Sequence, residues 1–182
     1  MNIVTHNCLG GYLYNNIIKI PYENPFIWTV IDYCSMLNLI TKWDIIDFNN
    51  YELGKDHNWN FYIIIDNLVK LQFVHYKFDP KAKNIIGNRE KVIGDTVYYC
   101  KIWEYIVEKY TTRLQRMLDK NEPPIFCICN FKSDFTDACY THEQLNELGK
   151  YKNVLVLQCE TLPPLVASHK FYETYKSKLL EA

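Results

Sequence analysis

The sequence predicts an α/β fold: a three-layer domain in which a mixed β-sheet is flanked by helices. Three observations predict this class. An apolar strand opens the chain, a hairpin pattern follows it, and the second half alternates between helical and strand patterns. Such alternation is typical of sheets that are covered by helices on both faces. We expect residues 1–182 to form a single domain, because no linker, repeat or low-complexity stretch divides them.

The first half of the chain predicts a strand, a helix and a hairpin. Residues 1–7 form the opening strand, and apolar residues at helical spacing predict a helix from about Pro25 to Ile40, capped by Asn24. The segments WNFYIIID and LVKLQFVHY are rich in β-branched and aromatic residues, so they predict an antiparallel hairpin at 59–76. Its turn is expected at Asp66-Asn67, two residues that tolerate tight turns.

The second half predicts three helices and two strands. An apolar stripe predicts a helix from about Asp95 to Lys120. The segments PPIFCICN and KNVLVLQC predict buried strands. Between them, Thr141 and Gln144 form a capping-box pattern at the start of a helix that ends near Gly149. A partly charged helix is expected at 168–181.

Composition and charge restrict the location and the partners of the protein. The net charge is -1 and the pI is about 6.5, so the chain lacks the excess of basic residues that binding to nucleic acid requires. No signal-peptide pattern opens the chain, and its apolar runs are far shorter than the roughly 20 residues that span a bilayer. We therefore expect a cytoplasmic protein, or one of a host cytoplasm if its source is viral, without a membrane span. Association into a homo-oligomer stays open.

The cysteines do not form a disulfide framework, since their number is odd. They are Cys8, Cys34, Cys100, Cys127, Cys129, Cys139 and Cys159. Strand geometry would point the side chains of Cys127 and Cys129 to the same face. A metal site built from them would need a CxxC pair and a second pair, and the sequence has neither. We expect reduced thiols and no metal site.

The motif THNCLGGY places an imidazole, an amide and a thiol before two glycines. The Cys8 thiol becomes a useful nucleophile if an imidazole or converging N–H groups lower its pKa. Gly10 and Gly11 would let the backbone turn sharply, and the exposed N–H groups could bind an oxyanion or an anionic ligand. The alternative is a tight turn with a buried structural thiol beneath it.

Two further groups are candidates for chemistry. His75 stands in LQFVHYKFDP, and Asp79 could orient its ring as a general base; the alternative is a histidine at the edge of the core. Arg113 and Arg116 are three residues apart on the long predicted helix. They can form a fork for phosphate or carboxylate, and the alternative is a solvated helix face.

Ligand sites in such folds gather beyond the carboxyl ends of strands. Cys8, His75 and Asn130 are each expected near such an end. The phosphate-loop, dinucleotide-binding, zinc-protease and serine-hydrolase motifs are all absent from the sequence. The candidate chemistry therefore depends on these dispersed residues.

The motifs together resemble a family of exopolysaccharide-biosynthesis proteins whose domain has no assigned function. Members open with a strand that ends in an Asn-Asn-Cys-aromatic-Gly-Gly run, followed by Pro-Tyr and by Asn/Thr-Pro-Phe. The resemblance extends from residue 3 to about 165, and His6 and Leu9 depart from it. The matching residues are Asn7, Cys8, Gly10, Gly11, Pro21, Tyr22, Asn24, Pro25, Phe26, Phe73, His75, Tyr76, Arg113 and Arg116. A related family is labelled papain-like cysteine peptidases, because a Cys precedes a His in the same order.

The resemblance implies a role in making surface glycans, and it does not fix the reaction; we expect a transferase. A natural reaction is acyl or acetyl transfer from acetyl-CoA, as a co-substrate, to a sugar or an amino-sugar nucleotide, with no tightly bound cofactor. His75 would be the base, the amides from Cys8 to Gly11 would bind the oxyanion, and the arginine pair would hold diphosphate. The catalytic candidates are His75, Cys8, Asn7 and Asp79, and the substrate-binding candidates are Gly10, Gly11, Tyr76, Arg113, Arg116 and Asn130.

Two other functions remain as alternatives. The first is a papain-like hydrolase or amidase that uses Cys8 and His75. The second is a non-catalytic module that binds glycans or nucleotides, for which the 15 tyrosines would suit carbohydrate contact.

Overall fold

A computed structural model describes residues 2–7, 9–19, 24–55, 60–79, 84–86, 92–93, 96–132 and 139–180. For Lys55, for Asn60 and for those of these residues that lie between 74 and 103, it describes the backbone alone. In chain order the elements are β1 (Asn2–Thr5), α1 (Leu9–Tyr12), a π-helix (Leu13–Ile18), β2 (Val30–Ile31), α2 (Tyr33–Lys42), a 3-10 turn (Trp43–Ile45), β3 (Tyr51–Lys55), β4 (Asn60–Ile65), β5 (Val69–Asp79), β6 (Asn84–Ile86), β7 (Val92–Ile93), α3 (Thr96–Lys120), β8 (Pro124–Phe131), α4 (His142–Leu148), β9 (Val154–Cys159) and α5 (Pro164–Leu180).

The first sheet is parallel and has the strand order β1-β8-β9. Val4 pairs with Phe126, and Phe126 pairs with Val154 on the other side. The central strand β8 is buried almost throughout. This explains its nearly continuous apolar sequence, because a central parallel strand that is covered on both faces has no polar side.

The second sheet has the order β3-β4-β5-β6-β7, with β2 added beside β5. The predicted hairpin is confirmed as β4 and β5. Asp66 and Asn67 both adopt positive φ, at 50° and 55°. Two consecutive residues in this region are the requirement of a type I′ turn, whose twist matches that of the paired strands.

The short strand β2 links the two sheets. Ile31 pairs with Leu71 of β5. The N–H of Ile31 points the other way and donates to the carbonyl oxygen of His6, just beyond β1, at 2.9 Å. The predicted α/β class is confirmed, with the parallel and the antiparallel strands in two separate sheets instead of one mixed sheet.

Helices and strands enclose the parallel sheet in three layers. One face carries Cys127 and Cys129 and packs against α1, the π-helix and α5. The opposite face carries Phe126 and Ile128 and packs against α2, α3, α4 and the antiparallel sheet. The alternation of β8 therefore confirms that the two cysteines share a face.

The helix predicted from Pro25 to Ile40 is wrong at its beginning. α2 starts at Tyr33, and its cap is Asp32, whose carboxylate accepts from the N–H of Ser35 at 2.9 Å. Val30 and Ile31 form β2 instead, because the neighbouring β5 offers a ladder of hydrogen bonds to these β-branched residues. The apolar spacing of the sequence does not distinguish the two outcomes.

The other predicted elements lie close to their expected bounds, whereas α1, β3, β6 and β7 are not predicted by the sequence. α3 covers Thr96–Lys120, and the capping box of α4 is present, with Thr141 and Gln144 exchanging hydrogen bonds. α5 begins at Pro164 rather than at 168, since proline suits the first helical turn. Within the described ranges, no helix combines the length and the apolar character that crossing a membrane requires.

Candidate functional site

The candidate site is the junction where β1 ends and α1 begins. Cys8 itself lies outside the described residues. The residues on both sides of it, Asn7 and Leu9, are buried, as is His6. The parallel register places this junction beside the carboxyl-terminal half of β8, because Thr5 pairs with Cys127.

Asn7 fixes the junction with its side-chain amide. Its Oδ1 accepts from the N–H of Leu9 at 3.0 Å. Its Nδ2 donates to the carbonyl oxygen of Cys129 at 3.0 Å and lies 3.1 Å from Nε2 of His6. Since an amide nitrogen can only donate, Nε2 of His6 accepts in this pair. The amide of Asn7 therefore ties the beginning of α1 to β8 and orients the His6 ring.

The two glycines are helical, so the expectation of a sharp glycine turn is wrong. No glycine in the described residues has positive φ. The N–H of Gly10 donates to Oγ1 of Thr5 at 3.1 Å, and a Cβ on Gly10 would lie 2.7 Å from that oxygen. A Cβ on Gly11 would lie 2.1 Å from the Trp28 ring. Glycine is needed here for close packing of α1, and the N–H of Gly10 is already engaged by Thr5.

Trp28 sits against α1 in a conformation that bulky residues rarely adopt. Its φ is 63°, and such a value for a large side chain marks a turn under strain. The indole packs edge-on against Tyr12, with ring centroids 5.3 Å apart. Trp28 as a whole is half-buried.

The turn that carries Trp28 is tied to β1 by Asn24. The Nδ2 atom of Asn24 donates to the carbonyl oxygen of Ile3 at 2.7 Å, and its Oδ1 accepts from the N–H of Phe26 at 3.1 Å. Thr29 closes the same turn with a 2.7 Å hydrogen bond from its hydroxyl to the carbonyl oxygen of Phe26. Asn24 is therefore a turn residue and not the helix cap that the sequence predicts.

Asn130 supports the site from β8. It is buried, and both groups of its amide bind the backbone of Tyr140. Tyr140 in turn donates its hydroxyl to the carbonyl oxygen of Ile31 at 2.6 Å, and its ring lies 4.4 Å from the His6 ring between centroids. Asn130 thus acts through Tyr140 on the junction, which differs from the direct substrate contact expected from the sequence.

His75 lies on β5, and its side chain is outside the described residues, as are those of Tyr76 and Asp79. Val30 of β2 pairs with Gln72 in antiparallel orientation. The part of β5 beyond Gln72 therefore extends past the start of β2, on the side from which Trp28 and Thr29 enter that strand. At about 3.3 Å per residue, position 75 lies on the order of 10 Å beyond Gln72 along the strand.

The arginine pair lies on α3. Nη1 of Arg113 donates to the carbonyl oxygen of Ile27 at 3.2 Å. Ile27 directly precedes Trp28, so Arg113 contacts the same turn that covers α1. Arg116 is exposed one helical turn further along. Both arginines line a groove of about 330 Å³ on the surface of this helix.

The described thiols differ strongly in their surroundings. Cys127 and Cys129 are buried, and burial raises the pKa of both thiols far above the ordinary value. Cys34 and Cys139 are exposed. Burial, followed by the carboxylate of Glu160, raises the pKa of the Cys139 thiol. Among the described residues, no group of His, Cys, Asp or Glu side chains is arranged to hold a metal ion.

The structure thus brings several of the sequence candidates to one place. Asn7, Gly10 and Gly11 form the junction, Arg113 reaches the turn beside it, and Asn130 supports it through Tyr140. Sequence reasoning missed Thr5, Trp28 and Tyr140. Nothing in the local sequence marks Trp28 or Tyr140, because their roles depend on contacts with residues that are distant in the chain.

Comparisons with known proteins do not add a family to this description. No protein-family model matches the chain, and a search of curated proteins also gives no match.

Proposed function

We propose that the protein is an acyltransferase of surface-glycan biosynthesis, which moves an acyl group from acetyl-CoA to a sugar or a nucleotide sugar. One observation carries the proposal. The residues that flank Cys8 are held rigidly at a strand-to-helix junction, and the adjoining turn contacts both this junction and Arg113. A fixed backbone around a reactive group is what acyl transfer requires, because a small displacement of the attacking atom costs much of the rate.

The proposed reaction has two steps that pass through Cys8. The Cys8 thiolate attacks the carbonyl carbon of acetyl-CoA, the bond from that carbon to the CoA sulfur breaks, and CoA leaves and takes up a proton. A hydroxyl or amine of the sugar then attacks the new thioester. His75 accepts the proton of the attacking group, with Asp79 orienting its ring, and Cys8 leaves as a thiolate.

The described surroundings of Cys8 hold the beginning of α1 in place, and the N–H groups of Leu9 and Gly10 are used for this and not for binding an oxyanion. Asn7 and Thr5 accept hydrogen bonds from the N–H groups of Leu9 and Gly10, which fixes the first turn of α1. Burial raises the pKa of the Cys127 and Cys129 thiols, so these two are poor candidates for a nucleophile. We assign the reaction to Cys8 because the residues next to it in the chain are fixed by these hydrogen bonds.

A cysteine hydrolase is the second candidate, and the same junction favours it. The two functions share the attack by Cys8 and differ in the group that accepts the acyl chain. Water in place of the sugar would turn the transferase into a hydrolase or amidase. A third possibility, a glycan-binding module without turnover, would use the half-buried Trp28 as a contact for a sugar ring.

Acetyl transfer can be tested with the purified chain. The protein is incubated with acetyl-CoA and a panel of sugars and amino-sugar nucleotides, and free CoA and acetylated product are measured by chromatography. We expect CoA release that depends on one acceptor. Cys8→Ala should abolish it, and His75→Ala should lower kcat by about a hundredfold or more, as for other general bases. Cys34→Ala, at an exposed thiol on α2, is the matched control and should have no effect.

The other outcomes separate the candidates. Equal release of CoA with and without an acceptor would favour a hydrolase, as would cleavage of amide substrates that Cys8→Ser partly retains. Binding of a sugar nucleotide without any turnover would favour the binding module. An absence of both CoA release and any thermal shift with CoA or nucleotide sugars would reject the acyltransferase.

A further inference from the structure

The groove on α3 combines cationic side chains on a single helix face. Its lining residues recur at spacings of three and four, which places them on one side of the helix. They are Tyr105, Glu108, Lys109, Thr112, Arg113 and Arg116. Three of these side chains are cationic and one is anionic. The groove, of about 330 Å³, has the size of a small ligand site.

The cations in this groove are arranged for an extended anion. Arg113 and Arg116 are three residues apart, and Lys109 precedes Arg113 by one helical turn. The span from Lys109 to Arg116 is about 10 Å at 1.5 Å per residue, which is more than one phosphate group contacts. Two guanidinium forks and an ammonium group therefore suit two linked phosphates better than one phosphate or one carboxylate.

Two of the cations are also partly immobilised, which lowers the entropy that ligand binding would cost. Nζ of Lys109 lies 4.1 Å from the ring centroid of Tyr105. Nη1 of Arg113 donates to the carbonyl oxygen of Ile27 at 3.2 Å, which restricts the guanidinium group. Preorganised cations bind anions more tightly than flexible ones, since less side-chain motion is lost.

The position of the groove connects it to the candidate site. The Ile27 carbonyl that Arg113 contacts belongs to the turn whose next residue, Trp28, packs on Gly11 of α1. The groove and the junction are thus linked through one turn, although Ile27 and Asn7 are themselves buried.

We infer that the groove on α3 binds the diphosphate of a nucleotide-containing substrate, with Arg116, Arg113 and Lys109 as its ligands. The inference deepens the proposed function and rests on it in one respect, namely that the diphosphate belongs to CoA or to a nucleotide sugar. Both compounds contain linked phosphates, so the chemistry of the groove is the same for either source.

Binding can be measured by titration calorimetry with inorganic pyrophosphate, ADP, UDP and CoA. Pantetheine and N-acetylglucosamine, which contain no phosphate, are the control ligands. Arg116→Ala is the informative variant because Arg116 is exposed, whereas Arg113 also holds a turn. Lys152→Ala removes an exposed positive charge from the turn before β9 and is the matched control.

We expect Arg116→Ala to raise the Kd of the diphosphate compounds by about tenfold or more, as the loss of a charge-assisted hydrogen bond does. Arg116→Lys should retain part of the affinity, and Lys152→Ala should retain all of it. Higher salt should weaken binding. The inference is overturned if the wild-type protein binds none of these compounds, or if Arg116→Ala and Lys152→Ala bind them equally well.

The arms of the experiment identify the source of the diphosphate and separate this inference from the proposed function. If Arg116→Ala loses binding of CoA but not of UDP, the groove belongs to the acyl donor. If it loses binding of UDP but not of CoA, the groove belongs to the acceptor. Diphosphate binding without acyl transfer would reject the proposed function and leave the groove assignment standing. If Arg116→Ala performs acyl transfer with unchanged KM values, the groove assignment is rejected and the proposed function stands.

Discussion

The side chain of Asn130 holds the backbone of Tyr140 from both sides. Its Nδ2 donates to the carbonyl oxygen of Tyr140 at 2.6 Å, and its Oδ1 accepts from the N–H of the same residue at 3.0 Å. Tyr140 then contacts the His6 ring and the carbonyl oxygen of Ile31. The end of β8, the junction after β1 and the strand β2 are thereby joined through one tyrosine.

Asn130→Ala should destabilise the protein by about 1–3 kcal/mol, because it leaves a buried N–H and a buried carbonyl without partners. The free energy of unfolding is measured by urea denaturation. Asn146→Ala, at an exposed position on α4, is the control and should change it by less than about 0.5 kcal/mol. Equal stability of the two variants would contradict the role assigned to Asn130.

Gly11→Ala should lower the free energy of unfolding by about 1–3 kcal/mol or more, since the added Cβ would lie 2.1 Å from the Trp28 ring. Gly149→Ala is the comparison. That glycine has a helical φ of -65°, and the nearest atom to its added Cβ is a backbone oxygen at 3.3 Å. Thermal unfolding of both variants checks the difference. If Gly11→Ala unfolds at the wild-type temperature, α1 does not pack on Trp28 as described.

The buried tyrosines should make the protein sensitive to alkali. Burial is the main cause that raises the pKa of Tyr140 well above the ordinary value of 10.0, and burial likewise raises the pKa of Tyr110. The unfolded chain therefore loses these protons first as the pH rises. Their contribution to stability is complete below about pH 10 and decreases progressively above it. Unfolding monitored by circular dichroism across this range should show the loss.

Tyr140→Phe tests which group causes this dependence. The variant should lose about 1–2 kcal/mol at neutral pH, because the carbonyl oxygen of Ile31 loses its 2.6 Å hydrogen bond. Its stability should fall less steeply above pH 10 than that of the wild type, since one buried phenol is absent. Tyr105→Phe, on the exposed part of α3, should behave like the wild type. Parallel profiles for all three proteins would refute the assignment to Tyr140.

The described thiols should be alkylated at two clearly different rates. Iodoacetamide should label the exposed Cys34 and Cys139 in the folded protein, with Cys139 the slower because burial and Glu160 raise its thiol pKa. Cys127 and Cys129 should react only after denaturation, since they are buried and burial raises the pKa of both thiols. Mass spectrometry of digested protein gives the order. Early labelling of Cys127 would mean that the parallel sheet opens more easily than its packing suggests.

Cys8 adds a functional comparison to the same experiment. If Cys8 is the nucleophile, it should label faster than Cys34, which is an ordinary exposed thiol. Preincubation with acetyl-CoA should slow its labelling and leave Cys34 unaffected. A rate for Cys8 below that of Cys34 would remove the main chemical support for the proposed reaction.

Local sequence was sufficient where short-range chemistry decides the structure. The Asp66-Asn67 turn, the Thr141-Gln144 capping box and the alternation of Cys127 and Cys129 were all predictable, because each depends on neighbours within four residues. The first residue of α2 was not predictable from local sequence. Val30 and Ile31 fit either a helix or a strand, and the choice was made by β5, about 40 residues away in the chain.

The sequence by itself determined the fold class, the hairpin, the long helix and the positions of Asn7, Gly10, Gly11 and Arg113 as candidates. Tertiary structure alone decided what these residues do. It made Gly11 a contact for Trp28, turned Asn130 into a support for Tyr140, and attached Arg113 to the turn beside α1. The physical reason is that propensity and periodicity act over one or two turns of chain, whereas close packing and buried hydrogen bonds join groups that only the folded topology brings together.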